Sequence, residues 1–414
     1  MKKVTNSPSF KIASWSLYDL ANQFFALNVV SLYFPKWITI EKNTPEIYYS
    51  IAFGFSMLLV GFIGPIVGVY SDETGKHRTF LIIFAAISIV FTMVLGVASS
   101  IVIALLFFVI ANFGCREAEI FYNTLLVEVA PKKKIGLISG LGKMFGYCGA
   151  IIALYITKPF ITLGGYQLGF FVSGLLYLIL ALPCFLFVKQ KPINLNIQYK
   201  ESFLRFFKRK QVIAIFKKII THIFKNRQSA DLKYFFIGSF CILCVVNTFL
   251  IFMSVFIIKV FGLADYEIIH FIAFATFFAI IGSILSGFIS DVIGFKKTLI
   301  IMSIFWGITL ILCFLEPPFH YLYAMVAGIN IGSIWVVSRA FIARVVPQDM
   351  LGEMFGAFNF VNYCSSIIGP LVFGAMMLYL SSYGSLGYRL GQVSLLPFAI
   401  CGIYYFSKMS DLTS

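Results

Sequence analysis

The chain has 414 residues, 60% hydrophobic and 18% aromatic, with only 12% charged. Soluble domains carry about 25% charged residues, so the composition excludes a soluble globular protein and fits a membrane protein. The formal net charge of +15 would suit a nucleic-acid partner, but the placement of the charge along the chain argues against one.

Met1 to Lys11 is a short basic tail that runs into an apolar segment with no small-residue cleavage pattern, so the first span is expected to stay. Apolar runs of roughly 18 to 25 residues follow, the length a helix needs to cross about 30 Å of hydrocarbon. Six spans are expected near 12–37, 48–70, 79–99, 101–126, 136–157 and 167–188. After a polar stretch, six more fall near 233–258, 267–289, 298–315, 320–343, 353–379 and 386–407. Most of the 32 Lys and Arg then lie on one side. By the positive-inside rule that side is cytoplasmic, as are both termini.

In the first span, Tyr18, Asp19 and Asn22 form a polar cluster. A lone acid there suits proton coupling, and a fixed ion pair to Lys143 or Arg116 suits it equally. The fourth span sets Asn112, Arg116, Glu119 and Asn123 at intervals of four, three and four, one stripe of a helix. That stripe reads as a cavity face or as an interhelical network. Glu117 points about 100° away from it. The fifth span carries Lys143 and the glycines Gly136, Gly140, Gly142, Gly146 and Gly149, which permit close helix approach. Ionisable groups inside hydrocarbon cost several kcal/mol, about 2.5 to 3.5 each on insertion scales. Asp19, Arg116, Glu117, Glu119, Lys143 and Arg339 of the tenth span should therefore face protein or water.

The linker 189–232 is strongly basic, and from Val212 to Phe224 it places Val212, Ile213, Phe216, Ile219, Ile220, Ile223 and Phe224 on one helical face, opposite Lys217, Lys218 and Lys225. Such a helix suits anionic lipid rather than nucleic acid. Gly369-Pro370 in the eleventh span favours a kink. The eight Cys are scattered, and the Cys241/Cys244 pair has no partner ligands nearby, so neither disulfides nor a metal are expected.

Two short stretches, GYCGAII from Gly146 and NYCSSII from Asn362, lie 216 residues apart. GVYSDETGKHRT from Gly68 matches GFISDVIGFKKT from Gly287, and APKKKIGLISG around Pro131 matches VPQDMLGEMFG around Pro347. Three collinear matches imply a parallel repeat, with six-helix bundles at 1–188 and 233–414 joined by the linker, a plan used by secondary transporters. The fold class is thus all-α: twelve transmembrane helices in two pseudo-symmetric bundles.

These residues resemble the major facilitator superfamily, whose signature after its second helix reads roughly G-x-x-x-D-x-x-G-[RK]-[RK]. Gly68, Asp72, Gly75, Lys76 and Arg78 fit it, with His77 interposed, and Gly287, Asp291, Gly294, Lys296 and Lys297 fit it again. The resemblance implies a cytoplasmic gate at these loops, whose acids and bases would make inter-helix ion pairs. WSLYDLANQFF from Trp15, the Phe121 to Ala150 stretch and SRAFIARVVPQDMLGEMFG from Ser338 look like the vacuole-effluxer, or autophagy-related permease, family. The chain departs from that family at Val127, before Glu128, and at Asn362 and Tyr363.

The resemblance implies a monomeric permease of a bacterial-type plasma membrane, without cofactor, carrying small polar, amino-acid-like solutes by alternating access. Nucleotide or lysolipid carriage and a non-transporting receptor or scaffold are the rivals. No Walker A, HExxH or GxSxG pattern supports ATP drive or an enzyme.

Overall fold

A computed structural model describes residues 7–98, 100–190, 209–224, 230–263, 265–315 and 319–410. The start of the basic tail and linker residues 191–208 and 225–229 lie outside the described residues.

Helix α1 (Pro8–Phe25) has a proline in its first turn, where no amide is missed, and Ser7 as N-cap, its hydroxyl accepting from the Phe10 amide at 3.3 Å. It runs on through π-helical stretches at Ala26–Tyr33 and Trp37–Glu41, and so extends past the expected limit at 37. Next come α2 (Glu46–Thr74), α3 (His77–Val94) and α4 (Ile101–Thr124).

The helical run Ile135–Phe187 was expected to break across 158–166. It instead continues to Leu163 and reverses at Gly164 and Gly165, giving α5 (135–163) and α6 (166–187). Gly165 has φ 70° and ψ −176°, a conformation essentially confined to glycine, so the reversal needs no polar loop.

In α7 (Arg209–Phe224) the buried residues are Ile215, Ile219 and Ile223, while Ile213 and Ile220 are exposed. The apolar face was expected to include Ile213 and Ile220 and to omit Ile215. Four-residue spacing selects one narrow stripe of that broad face for contact, and Phe216 meets Phe360 ring to ring at 6.1 Å.

The remaining helices are α8 (Ala230–Phe256), α9 (Asp265–Ile293), α10 (Phe295–Leu312), α11 (His320–Val345), α12 (Leu351–Leu380), α13 (Ser385–Val393) and α14 (Leu396–Ser407). Among the described residues there is no strand, and ten helices are long and apolar enough to cross a membrane. One of the ten is the double run containing α5 and α6. With α1 added, the set is consistent with twelve spans.

The chain forms two compact units, Met1–Phe216 with Ile342–Phe360, and Lys217–Phe341 with Val361–Ser414. In the first, α1 lies along the α5–α6 run, and α4 packs on both α2 and α3. Gly149 makes the α1 contact close: a Cβ there would sit 2.7 Å from the Leu20 carbonyl oxygen. In the second, α14 packs on α8 and α10.

Candidate functional site

The first unit gathers its ionisable residues from three helices. Lys143 of α5 reaches Asp19 of α1 at 3.4 Å and Glu119 of α4 at 3.7 Å, and Arg116 reaches Glu119 at 3.4 Å. Two acids and two bases thus form a chain in which every charge has an opposite neighbour. Asp19 is buried, whereas Arg116, Glu119 and Lys143 remain partly accessible. Gly146 of α5 lies against the Asp19 carboxylate, which would be in ordinary contact, at 3.5 Å, with a Cβ at that position. Loss of charge on either acid would leave two bases to one acid, so charge and geometry are linked here.

An uncharged layer supports the chain. Tyr122 donates to Asp19 at 3.4 Å and stacks on Trp15 and Tyr18. The Tyr18 and Tyr177 hydroxyls bond at 3.0 Å, and Asn22 Oδ1 accepts from Tyr177 at 3.2 Å and from Cys115 at 2.9 Å. Tyr122, Tyr177 and Cys115 escaped the sequence reading, because aromatic and thiol side chains in an apolar span look like lipid-facing filler. Only Tyr122, three residues after Glu119 on the same helix, carried a signal in its spacing.

Two members of the α4 stripe differ in setting. Asn112 is fully buried and donates to Ser56 of α2 at 2.7 Å, whereas Asn123 is half-buried. Glu117 is also fully buried, facing Gly64 of α2, and neither carboxyl oxygen has a hydrogen-bond partner among the described residues.

The loop after α2 has a different chemistry from the ion pairs expected. Asp72 accepts from the amides of Gly352 and Glu353, at 2.8 and 2.7 Å, at the start of α12, and pairs with His77 at 2.7 Å. The carboxylate thus satisfies free amides at a helix N-terminus, where negative charge is favoured. Arg78 instead donates to the Phe185 carbonyl of α6, and Lys76 is exposed. Gln190 bridges the two, meeting His77 at 3.2 Å and accepting from the Arg78 amide at 3.1 Å.

The signature glycines have steric roles. A Cβ on Gly68 would collide with the Gly352 carbonyl, and one on Gly356 would lie 2.9 Å from Pro65 Cα. Gly75 ends α2 with φ 61°.

In the second unit, Ser290 donates to Gly287 at 2.8 Å, as Ser71 donates to Gly68 at 2.7 Å in the first. Gly294 has φ 89°; Asp291 and Lys296 are half-buried, and Lys297 is exposed. Arg339 is buried on α11. Asn247 of α8 donates to Asn362 Oδ1 and Ser365 of α12, both at 3.0 Å. The NYCSSII stretch is therefore a polar helix contact at the repeat position where Gly146 and Gly149 meet α1.

Helices of this length carrying a paired charge network and a repeated acidic loop define a polytopic membrane carrier. The Major Facilitator Superfamily profile matches residues 20–370 and again 235–410. The chain belongs to that superfamily and is a membrane transporter rather than an enzyme.

It is 26% identical over 399 residues to the uncharacterized MFS-type transporter YxiO of Bacillus subtilis, covering 90% of this chain and 88% of that one. It is 23% identical over 390 residues to Autophagy-related protein 22 of Vanderwaltozyma polyspora, covering 84% and 75%. The human organic anion transporter MFSD10 (TETRAN) shares the fold at a TM-score of 0.75, with 10% identity over 96% of this chain and 98% of that one.

Proposed function

We propose that this transporter is a secondary active carrier of small polar solutes, amino-acid-like metabolites in particular, driven by protons through alternating access. The observation that supports this most is the Asp19–Lys143–Glu119–Arg116 chain, which links one buried acid to three partly accessible charges. A zwitterionic solute offers a carboxylate and an ammonium that could exchange for the Glu119 and Arg116 contacts, and a proton on Asp19 would free Lys143.

In this reading the two six-helix bundles rock as bodies, and the Asp72 and Asp291 loops act as the cytoplasmic gate. The protein sits as a monomer in a bacterial-type plasma membrane with both termini cytoplasmic, and α7 rests on anionic lipid.

The test is uptake of labelled amino acids by proteoliposomes with and without an imposed pH gradient. Gradient-dependent accumulation is expected, and Arg116→Ala should abolish it while the protein still inserts. Absence of amino-acid flux, with nucleotides or lysolipids carried instead, would overturn the cargo assignment.

A further inference from the structure

We propose that Glu117 is a second proton-binding site, separate from the Asp19 network and sealed between α4 and α2. The proposal rests on the reading of the chain as a proton-coupled carrier and adds a residue that the network does not use.

The Glu117 side chain is completely buried, and neither Oε1 nor Oε2 has a hydrogen-bond partner among the described residues. What faces it is apolar: a Cβ on Gly64 would lie 3.4 Å from Oε1, 3.7 Å from Oε2 and 2.9 Å from Ile120 Cδ1. An ionised carboxylate without partner or solvent costs far more than a neutral one, so this pocket accommodates the acid form.

The charged groups on the surrounding helices are committed elsewhere. On α4, Arg116 and Glu119 pair with each other. On α2, Asp72 holds the α12 amides and His77, while Glu73 follows it at the helix end. On α3, which packs on α4 through Gly114, titratable residues are confined to His77 and Arg78 in the first turn. Tyr49 of α2 donates to Val30, and Glu353 is buried at the α12 start. A lone carboxyl supplies one or two oxygens where hard metal cations take six or more, so the ligand it fits is the proton.

The second half of the repeat supplies a comparison. The 216-residue offset places Ser333 of α11 opposite Glu117. Ser333 is buried too, but its hydroxyl donates to Ile329 at 2.6 Å and lies 3.2 Å from the Gly282 carbonyl of α9. The same helix-to-helix contact is thus made with a satisfied hydroxyl. Packing at this position does not require an acid.

Gly64 also meets Gly356 of α12, where a Cβ would lie 3.0 Å from the Gly64 carbonyl oxygen. Movement of α12 away from α2 is the proposed route by which the proton leaves.

Infrared difference spectroscopy of the full chain in phosphatidylcholine–phosphatidylglycerol nanodiscs tests this, with the proton itself as probe. A protonated-carboxyl C=O band is expected at neutral pH in the parent and in Asp19→Asn, absent in Glu117→Gln, and lost reversibly as the pH is raised. Circular dichroism confirms that the Gln variant, isosteric with the neutral acid, is folded. Should that variant not fold, deuterium shift and alkaline titration of the parent band in Gly64→Ala, which crowds the carboxyl, replace it.

A parent without the band, a band unchanged by Glu117→Gln, or one that never titrates would each overturn the proposal. None of these readings requires a cargo. Failure of amino-acid flux alongside a titrating band would therefore remove the cargo assignment and leave the proton site standing.

Discussion

The Asp19 carboxylate holds Lys143 and Tyr122 at once. Asp19→Asn keeps the shape and removes the charge. It should still exchange labelled substrate across the membrane while losing pH-driven accumulation, and counterflow against gradient-driven uptake separates the two. Equal accumulation by variant and parent would move the coupling role to Glu119 or Glu117. The polar residues of this region were legible because charge inside an apolar span is costly and therefore conspicuous. Their uncharged supports were not: Tyr177 and Cys115 carry no such penalty, and only the folded chain brings them to Asn22. His77 looked like an interruption of the loop signature, and it is the side-chain partner of Asp72.

Among the helices, length and hydropathy made the spans readable, whereas their ends depended on backbone geometry. A break across 158–166 was expected between the fifth and sixth spans. The reversal is set instead by Gly165. Gly165→Ala should destabilise the protein by about 1–3 kcal/mol through backbone strain alone, read as a lowered melting temperature in detergent; an unchanged value would contradict the left-handed geometry. The Asp72 contacts with α12 predict a comparable loss. Asp72→Asn replaces charge-assisted bonds with neutral ones, costing about 1–3 kcal/mol, and a cysteine placed at the half-buried Met350, just before these amides, should become more reactive toward polar maleimides. Unchanged labelling in that background would leave the loop as a topology signal.

For the whole molecule, the proposed seat of α7 on anionic lipid is the point to test. Lys217 and Lys218 are exposed on α7, opposite the buried Ile219 side. Reversing both to Glu should weaken stabilisation by anionic lipid by about 1 kcal/mol per Lys removed. Melting in nanodiscs with and without phosphatidylglycerol measures it, and high salt should erase the difference. Identical lipid dependence in variant and parent would remove α7 from the membrane surface. The repeat was legible from three collinear stretches. The chemical inequality of its halves was not, because Asp72 and Asp291 occupy matching positions in motifs that share Gly, Ser, Asp, Gly and Thr in register. Asp72 is buried on helix amides, and Asp291 stays half-exposed.

If the Asp72 loop is the gate proposed above, the meeting of Gly64 and Gly68 with Gly352 and Gly356 has a kinetic consequence. Surfaces that interlock through long side chains must find the right rotamers each time they rejoin, at up to about 2 kcal/mol of entropy per chain. Bare backbone has no rotamers to search. A joint of this kind closes at the speed of the helices that carry it, with little internal friction. In the proposed gate the grip comes from Asp72 on two amides, so tightness and turnover would be tuned separately: the carboxylate would set how long the joint stays shut, and the glycines how quickly it shuts again.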